Sequence, residues 1–363
     1  MTRRALGDIG RASVLSNVAL LLVSEAALSR LLAIALVWVA LCAAPAPCFA
    51  ASDWFASVYS PQGVEVRADE RLFTLFATFN ALGYDVAPVV RKDPVARRAY
   101  SPVRVRVREA LAGLDPKLLA QVNAFFDAHP LPLAQYVAYT AQLGPAPSFS
   151  APAGIAPASL AGFEKQLAAV YQAAKVGALF AQVQEAYRAD TKAYVPVIDG
   201  PLAQARTLLR DPPGRAIVAV NDLDGQGAVQ AVSVGSDTKL LVVGPSATPD
   251  VEGVVRAYAR LVLAPIMGKK AGALKGASEQ AAVVRGSGGP ELTSAADYAT
   301  ALLARAIAIK VTARDAAASE KAAEKQGFAG IKDAVRAVGE LAKPGRPLDQ
   351  VIPDVLARID LKR

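Results

Sequence analysis

Arg256 and Arg260 are the residues whose type and spacing best suit a chemical task. They lie four positions apart in the segment VVRAYARLVLAP, residues 254–265, so a helix would place both guanidinium groups on one face. A guanidinium stays charged and forms paired hydrogen bonds with a carboxylate. The pattern predicts a site for an anion, such as a carboxylate of a bound peptide, with Tyr258 at its edge. A solvated helix face is the alternative interpretation of the same spacing.

The scarcity of histidine narrows the enzyme classes that the chain can belong to. Its 363 residues include one histidine, His129, which precedes Pro130 at the expected end of a helix, where a histidine commonly serves as a C-terminal cap. A Ser/His/Asp set would have to use His129, and no serine lies in a G-x-S-x-G motif. A hydrolase without a metal would depend on acidic residues and tyrosines, and we keep that as an alternative function.

The segment around the two arginines carries the signals of a helix over residues 249–264. Thr248 is the expected N-cap, Pro249 the first helical residue, and Asp250 and Glu252 lie in the first turn, where the helix dipole favours negative charge. At 100° per residue, an apolar face forms nearly opposite the arginines. It consists of Val254, Val255, Tyr258, Leu261 and Val262.

This helix resembles the motif helix of secreted zinc metallopeptidases of the glutamate-zincin type. Their H-E-x-x-H motif supplies two zinc ligands and a general base, and a later helix supplies a glutamate as the third ligand. The matching positions here are Arg256, Ala257 and Arg260, with Ala301 of the helix YATALLARA, residues 298–306, in place of the glutamate. Arginine has no lone pair to give a metal, and alanine can neither coordinate zinc nor act as a base.

The resemblance covers about residues 55–360 and implies a zincin-like helical domain with a hairpin-containing sheet beside the motif helix. It further implies a pseudoenzyme, with no catalytic residue, no bound metal and no cofactor. The expected fold class is α+β, mainly helical with a small antiparallel sheet. Strand-helix order of this kind recurs in many unrelated proteins, so the site and not the fold carries the functional argument.

Periodicity and turn signals predict the elements that position the site. A strand is expected over 64–67. Three β-rich runs at 216–220, 228–234 and 239–243 predict a sheet within 215–243, with a hairpin turn at 221–227. Asp222 and Asp224 of that turn lack the downstream acidic residue of a calcium loop. Helices are expected at about 69–82, 101–114 (where a strand fits equally well), 116–128, 132–143, 159–188, 201–210, 294–325, 328–342 and 350–360, with a mobile loop at 268–290.

Composition predicts an exported chain with one internal boundary. Residues 1–50 resemble a signal peptide, with Arg30 before an apolar run and Cys48-Phe49-Ala50 before the expected cleavage site. A helical region follows at 51–143. The uncharged, proline-rich segment 144–158 is the expected linker or loop, and 159–363 is the peptidase-like region.

Charge and cysteine content restrict the partners. The formal net charge of +8 is spread along the chain without a basic cluster, which argues against nucleic-acid binding. Both cysteines, Cys42 and Cys48, lie within the signal, so the exported chain would have no disulfide. Membrane attachment is expected only if the N-terminal apolar segment stays uncleaved. We therefore expect a periplasmic or secreted, non-catalytic protein that binds a peptide or protein or acts as a scaffold. A metal-independent hydrolase and a purely structural helical envelope protein are the alternatives.

Overall fold

The computed structural model describes residues 57–61, 63–84, 101–152, 158–211, 214–286, 292–342 and 345–361. The predicted signal peptide at 1–50 therefore lies outside the described residues, as do residues 153–157 of the segment 144–158 and residues 287–290 of the segment 268–290. Within the described ranges, no helix is both long and apolar enough to cross a lipid bilayer.

The chain is mainly helical with one small sheet, as the composition predicts. The strands are β1 (Val58–Tyr59), β2 (Glu65–Ala68), β3 (Arg215–Val220), β4 (Val229–Val234) and β5 (Thr238–Val243). The helices are α1 (Glu70–Ala81), α2 (Pro102–Leu111), α3 (Pro116–Ala128), α4 (Leu133–Thr140), α5 (Phe163–Ala173), α6 (Val176–Leu209), α7 (Val251–Lys270), α8 (Ala277–Gly286), α9 (Ala295–Thr312), α10 (Ala316–Lys325), α11 (Ile331–Ala337) and α12 (Leu348–Leu356). Short 3-10 turns lie at Ala158–Leu160, Ala271–Ala273 and Val338–Ala342.

The sheet is mixed, so the prediction of an antiparallel sheet is wrong in its pairing. The strand order is β1-β2-β3-β5-β4, in which β2, β3 and β5 run parallel and β1 and β4 are antiparallel edge strands. Five of the six β3 residues are buried, as expected of a parallel strand covered on both faces. The hairpin joins β4 to β5 around Gly235, whose φ of 66° suits a tight turn, and 221–227 instead carries the chain from β3 to the far edge.

The long helix expected at 159–188 is two helices with different bounds. It breaks after α5 at Lys175, whose φ is 51°, and α6 then continues to Leu209 through the region where a separate helix was expected. Pro196 and Pro201 lie inside α6, although proline removes a helical hydrogen bond. Residues such as Ile198 and Leu202 are fully buried along the same helix, so tertiary packing maintains it past both prolines.

The segment 144–158 is a packed loop in its described part. Phe149 is fully buried, and residues on both sides of the segment belong to one hydrophobic core. Arg71 of α1 donates a hydrogen bond to the Leu143 carbonyl over 2.6 Å, which ties the start of the segment to the preceding helices. The helical region before the segment therefore packs together with the region after it.

The expected mobile loop at 268–290 is mostly helical in its described part. Helix α7 continues through Pro265 to Lys270, and α8 covers Ala277–Gly286. Helix α8 contains several alanines, which favour a helix, and Val284, which is buried in the core. The glycines and lysines of the segment had indicated a loop. The expected helix at 294–325 is also divided, between α9 and α10.

The predicted motif helix exists as α7, with a shifted start. Its N-cap is Asp250 and not Thr248, because the Asp250 carboxylate accepts a hydrogen bond from the Gly253 amide over 2.8 Å. A Cβ atom at Gly253 would lie 2.1 Å from the Asp250 carboxylate, so glycine gives this cap its space. The helix packs against the edge strand β4, α6 and α9. A sheet edge therefore borders the predicted site.

Candidate functional site

One face of α7 packs into the hydrophobic core. Val254, Val255 and Tyr258 are fully buried there, as the apolar face predicts. The Tyr258 hydroxyl donates a hydrogen bond to Asp211, which also pairs with Lys239 over 2.9 Å. Burial, followed by this contact with Asp211, raises the pKa of the Tyr258 phenol. The placement of Tyr258 at the edge of the ligand site is therefore wrong, because its side chain is part of the buried face.

The other face of α7 borders a groove of about 230 Å³. Arg256, Ala257 and Arg260 line it from α7, and Ala301 lines it from α9. Val229, the first residue of β4, and Gly227 before that strand also line it. All four positions that correspond to zinc ligands or the general base in the resemblance therefore lie on one groove beside an edge strand.

Sequence analysis missed a third arginine of the groove, Arg305. It lies on α9, one helical turn after Ala301, and its guanidinium carbon is 4.5 Å from the centre of the Phe328 ring. Its Nε is buried and has no hydrogen-bond partner in the described part of the chain. Burial, and then the positive charge of Arg256, lowers the pKa of Arg305 to about 10. The sequence signal for Arg305 is its position four residues after Ala301, which places both residues on one face of α9.

The groove has an excess of positive charge. Arg256 pairs with Glu252 over 3.3 Å across one turn of α7, and both side chains are about one-third exposed. Arg260 is exposed and has no ion pair within the ranges that the structure describes. Three guanidinium groups thus border the groove, with one carboxylate paired to them. This arrangement suits the binding of a small anion or of an anionic end of a larger molecule.

The side chains of the groove do not suit a metal. Guanidinium nitrogens have no lone pair available for coordination, and the alanine, glycine, valine and phenylalanine side chains that share the lining offer no donor atom. Elsewhere among the described residues, no group of three or more His, Cys, Asp or Glu side chains lies close enough to hold a metal ion.

The remaining sequence candidates have structural partners. His129 is the C-cap of α3, and its Nδ1 lies 2.8 Å from the Phe125 carbonyl, which confirms the capping role. Asp224 accepts hydrogen bonds from the Gly225 amide over 2.7 Å and from the Tyr84 hydroxyl over 2.8 Å, as expected of a turn aspartate. Asp222 is different, because its carboxyl lies against that of Asp190.

Comparison of the chain with protein-family models, with curated proteins and with solved structures finds no match.

Proposed function

We propose that this chain is an exported, non-catalytic protein that binds an acidic peptide or protein end in the groove between α7, α9 and β4. The observation that carries the proposal is the convergence of Arg256, Arg260 and Arg305 on that groove. Export to the periplasm or beyond rests on the signal-like sequence of residues 1–50.

The electrostatic state of Arg305 favours an anionic ligand. Burial of a guanidinium removes hydration, and here the nearby charge of Arg256 adds repulsion. A bound carboxylate would offset both effects and give the unpaired Nε an acceptor. Glu252 offsets part of the positive charge around Arg305, and the ligand would supply further counter-charge.

The shape of the groove favours the end of a peptide. Ala257 and Ala301 have short side chains, so a backbone can approach the helices where longer side chains would block it. The antiparallel edge strand β4 lies alongside, and peptides commonly add to exposed sheet edges through backbone hydrogen bonds. A C-terminal carboxylate held by the arginines, with the preceding residue beside Val229 at the start of β4, satisfies both features.

The resemblance to glutamate-type zinc metallopeptidases is compatible with this proposal. A groove between a motif helix, a second helix and a sheet edge is what the resemblance implies, and alanines and arginines occupy the positions of its ligands and base. A relative that has lost its metal would retain a peptide-binding cleft. In this proposal the cleft binds and does not cleave.

The test is a binding titration with the full-length chain. The probe is acetyl-tetraalanine with a free C-terminal carboxylate, and its C-terminal amide is the matched neutral ligand. We expect saturable binding of the acid alone, with a loss of about 10-fold to 100-fold in affinity for each charged hydrogen bond removed by Arg256→Ala, Arg260→Ala or Arg305→Ala. Arg346→Ala, at an exposed residue, removes equal charge outside the groove and should leave binding intact.

Three outcomes contradict the proposal. Equal binding of the acid and the amide removes the role of the carboxylate. Cleavage of unacetylated or acetylated peptide by the purified chain favours the metal-independent hydrolase. Stoichiometric zinc in the purified protein contradicts the non-catalytic interpretation of the groove.

A further inference from the structure

A second cavity lies at the carboxyl ends of two parallel strands. Its volume is about 460 Å³, within the range of small-molecule sites, and Val220 at the end of β3 and Gly244 after β5 contribute to its wall. The carboxyl ends of parallel strands are a common position for ligands in open sheets. This cavity is distinct from the arginine groove, with which it shares no lining residue.

Two carboxyl groups are the charged groups that line this cavity. Asp190 comes from α6 and Asp222 from the residues just after β3, and both line the cavity. Two carboxylates in one buried cavity repel each other, which favours a protonated form. Asp222 is 5% exposed. Burial, followed by the charge of Asp190, raises the pKa of Asp222 to about 7, and burial also raises the pKa of Asp190.

Two other buried acids have arginine partners, unlike Asp190 and Asp222. Glu65 and Asp69 are also buried, but Arg67 lies 3.1 Å from the Glu65 carboxylate and 2.8 Å from that of Asp69. The arginines around these acids lower the pKa of both carboxyls despite their burial. No lysine, arginine or histidine is among the described residues that line the cavity beside Asp190 and Asp222. Their counter-charge is therefore a proton or a cation that enters the cavity.

The rest of the lining suits an organic cation. Ala186, Ala193, Pro245 and Pro249 provide apolar walls for methylene groups, while the carboxyl pair provides a negative end. Hydroxyl and amide side chains also line the cavity, those of Ser101, Gln226, Ser246 and Thr248. A hard metal ion prefers six or more oxygen ligands with several carboxylates among them, and no third acidic side chain lines the described part of this cavity. An alkylammonium group instead needs one or two carboxylates and a nearby apolar surface.

We propose that the cavity between α6 and the carboxyl ends of β3 and β5 binds a primary ammonium group beside the carboxyls of Asp190 and Asp222. The amine keeps its own proton, so a proton held by the carboxyl pair is released to solvent on binding. Protons and the ammonium group compete for the carboxyl pair. The affinity must therefore rise with pH as the pair loses its proton.

Other titratable groups around the pair do not change this direction. From α6, Tyr187 accepts a hydrogen bond from the Asp222 amide over 3.2 Å, and Tyr194 accepts one from the Asp250 amide over 3.1 Å at the start of α7. Burial raises the pKa of both phenols above its ordinary value, so both stay neutral at the pH of the titrations. The Asp250 carboxylate caps α7 and adds a negative charge that favours a cation.

The experiment is a ligand-observed NMR titration of the full-length chain with n-butylamine, with n-butanol as the neutral ligand of matched shape. We expect saturable binding of the amine alone, and an affinity about 30-fold higher at pH 8 than at pH 5.5 from competition with a proton of pKa about 7. Asp222→Asn should abolish this binding. Asp237→Asn, at an exposed turn aspartate, is the matched control and should leave it unchanged.

A variant that leaves the carboxyls in place separates the site from the fold. Ala193 is an exposed residue of α6 that borders the cavity, so Ala193→Leu should block butylamine without loss of thermal stability. Binding that persists in Ala193→Leu or in Asp222→Asn overturns the proposal. So does an affinity that is equal at the two pH values, or saturable binding of Ca²⁺ or Mg²⁺ in place of the amine. None of these measurements depends on the arginine groove.

Discussion

Replacement of Asp222 by asparagine should stabilise the folded protein at neutral and alkaline pH. The Asp222 carboxyl has a pKa of about 7 in the folded state and 3.8 as its ordinary value. A carboxyl with a raised pKa holds its proton more tightly in the folded state, so stability is lost as the pH rises from the lower pKa to the higher one. Asparagine carries no charge at any of these pH values, and its amide can still donate to Asp190.

The size of this loss of unfolding free energy depends on the pH range over which the folded and unfolded chains bind different numbers of protons. Between pH 5 and pH 7 the unfolded chain has lost the proton and the folded chain retains it, so the wild-type protein should lose about 3 kcal/mol of unfolding free energy. Asp222→Asn should lack this loss, so its unfolding free energy relative to that of the wild type should rise by about 3 kcal/mol between pH 5 and pH 8. Asp190 stays in place in both proteins, so the difference reports the ionisation of Asp222.

Urea denaturation at pH 5, 6, 7 and 8 measures the effect directly. The unfolding free energies of the wild type and of Asp222→Asn should diverge as the pH rises. Asp237→Asn removes an exposed carboxyl that accepts a hydrogen bond from Thr238, and its curve should run parallel to that of the wild type. Parallel curves for Asp222→Asn and the wild type, or a variant that is less stable at pH 8, would refute the argument from burial and shared charge.

Two further predictions concern the core and the groove. Phe149→Ala should cost about 3–5 kcal/mol of unfolding free energy because the ring is fully buried. Truncation of the exposed Val197 is the control and should change this free energy by less than about 0.5 kcal/mol. A small effect at Phe149 would favour the segment 144–158 as a domain boundary. If the groove has the geometry of a zinc site, a variant that carries all the zinc ligands and the base should bind zinc. Atomic absorption should then find one zinc ion per chain after dialysis. The variant combines Arg256→His, Ala257→Glu, Arg260→His and Ala301→Glu, and failure to retain zinc would count against the resemblance.

Local signals in the sequence predicted α1 and the faces of α7. Asp69 caps α1 and accepts a hydrogen bond from the Arg71 amide, and the helix ends before Gly83 with a φ of 87°, close to the expected bounds of 69–82. The opposition of Tyr258 and the two arginines on α7 also follows from helical periodicity alone. These features depend on residues within one or two turns of each other.

Strand pairing and the remaining site residues depend on contacts between distant segments. The sequences of β3 and β4 do not by themselves indicate that β5 pairs with both strands. Strand order depends on how the helices pack on the sheet. The contact between Asp190 and Asp222 likewise joins the middle of a long helix to the end of a strand. Sequence periodicity gives each of these residues a face, but the packing of α6 on the sheet brings the carboxyls together.

The groove and the cavity are joined by a third depression along the start of α7. That depression shares Gly227 with the arginine groove, and residues 246–249 with the cavity of the carboxyl pair. From Pro249 to Arg256 the helix rises about 10 Å, a span that three or four extended residues bridge. One surface therefore runs from the proposed site for an ammonium group to the proposed site for a carboxylate.

A short peptide with both ends free should consequently bind more tightly than either end alone. In a series of alanine peptides from two to six residues, affinity should peak at three or four, and it should fall about 100-fold or more when the N-terminus is acetylated or the C-terminus amidated. Asp222→Asn and Arg305→Ala should each cost less when the peptide end that they face is already blocked. An affinity that does not depend on peptide length would mean that the two sites act independently, because only a ligand of matched span can occupy both.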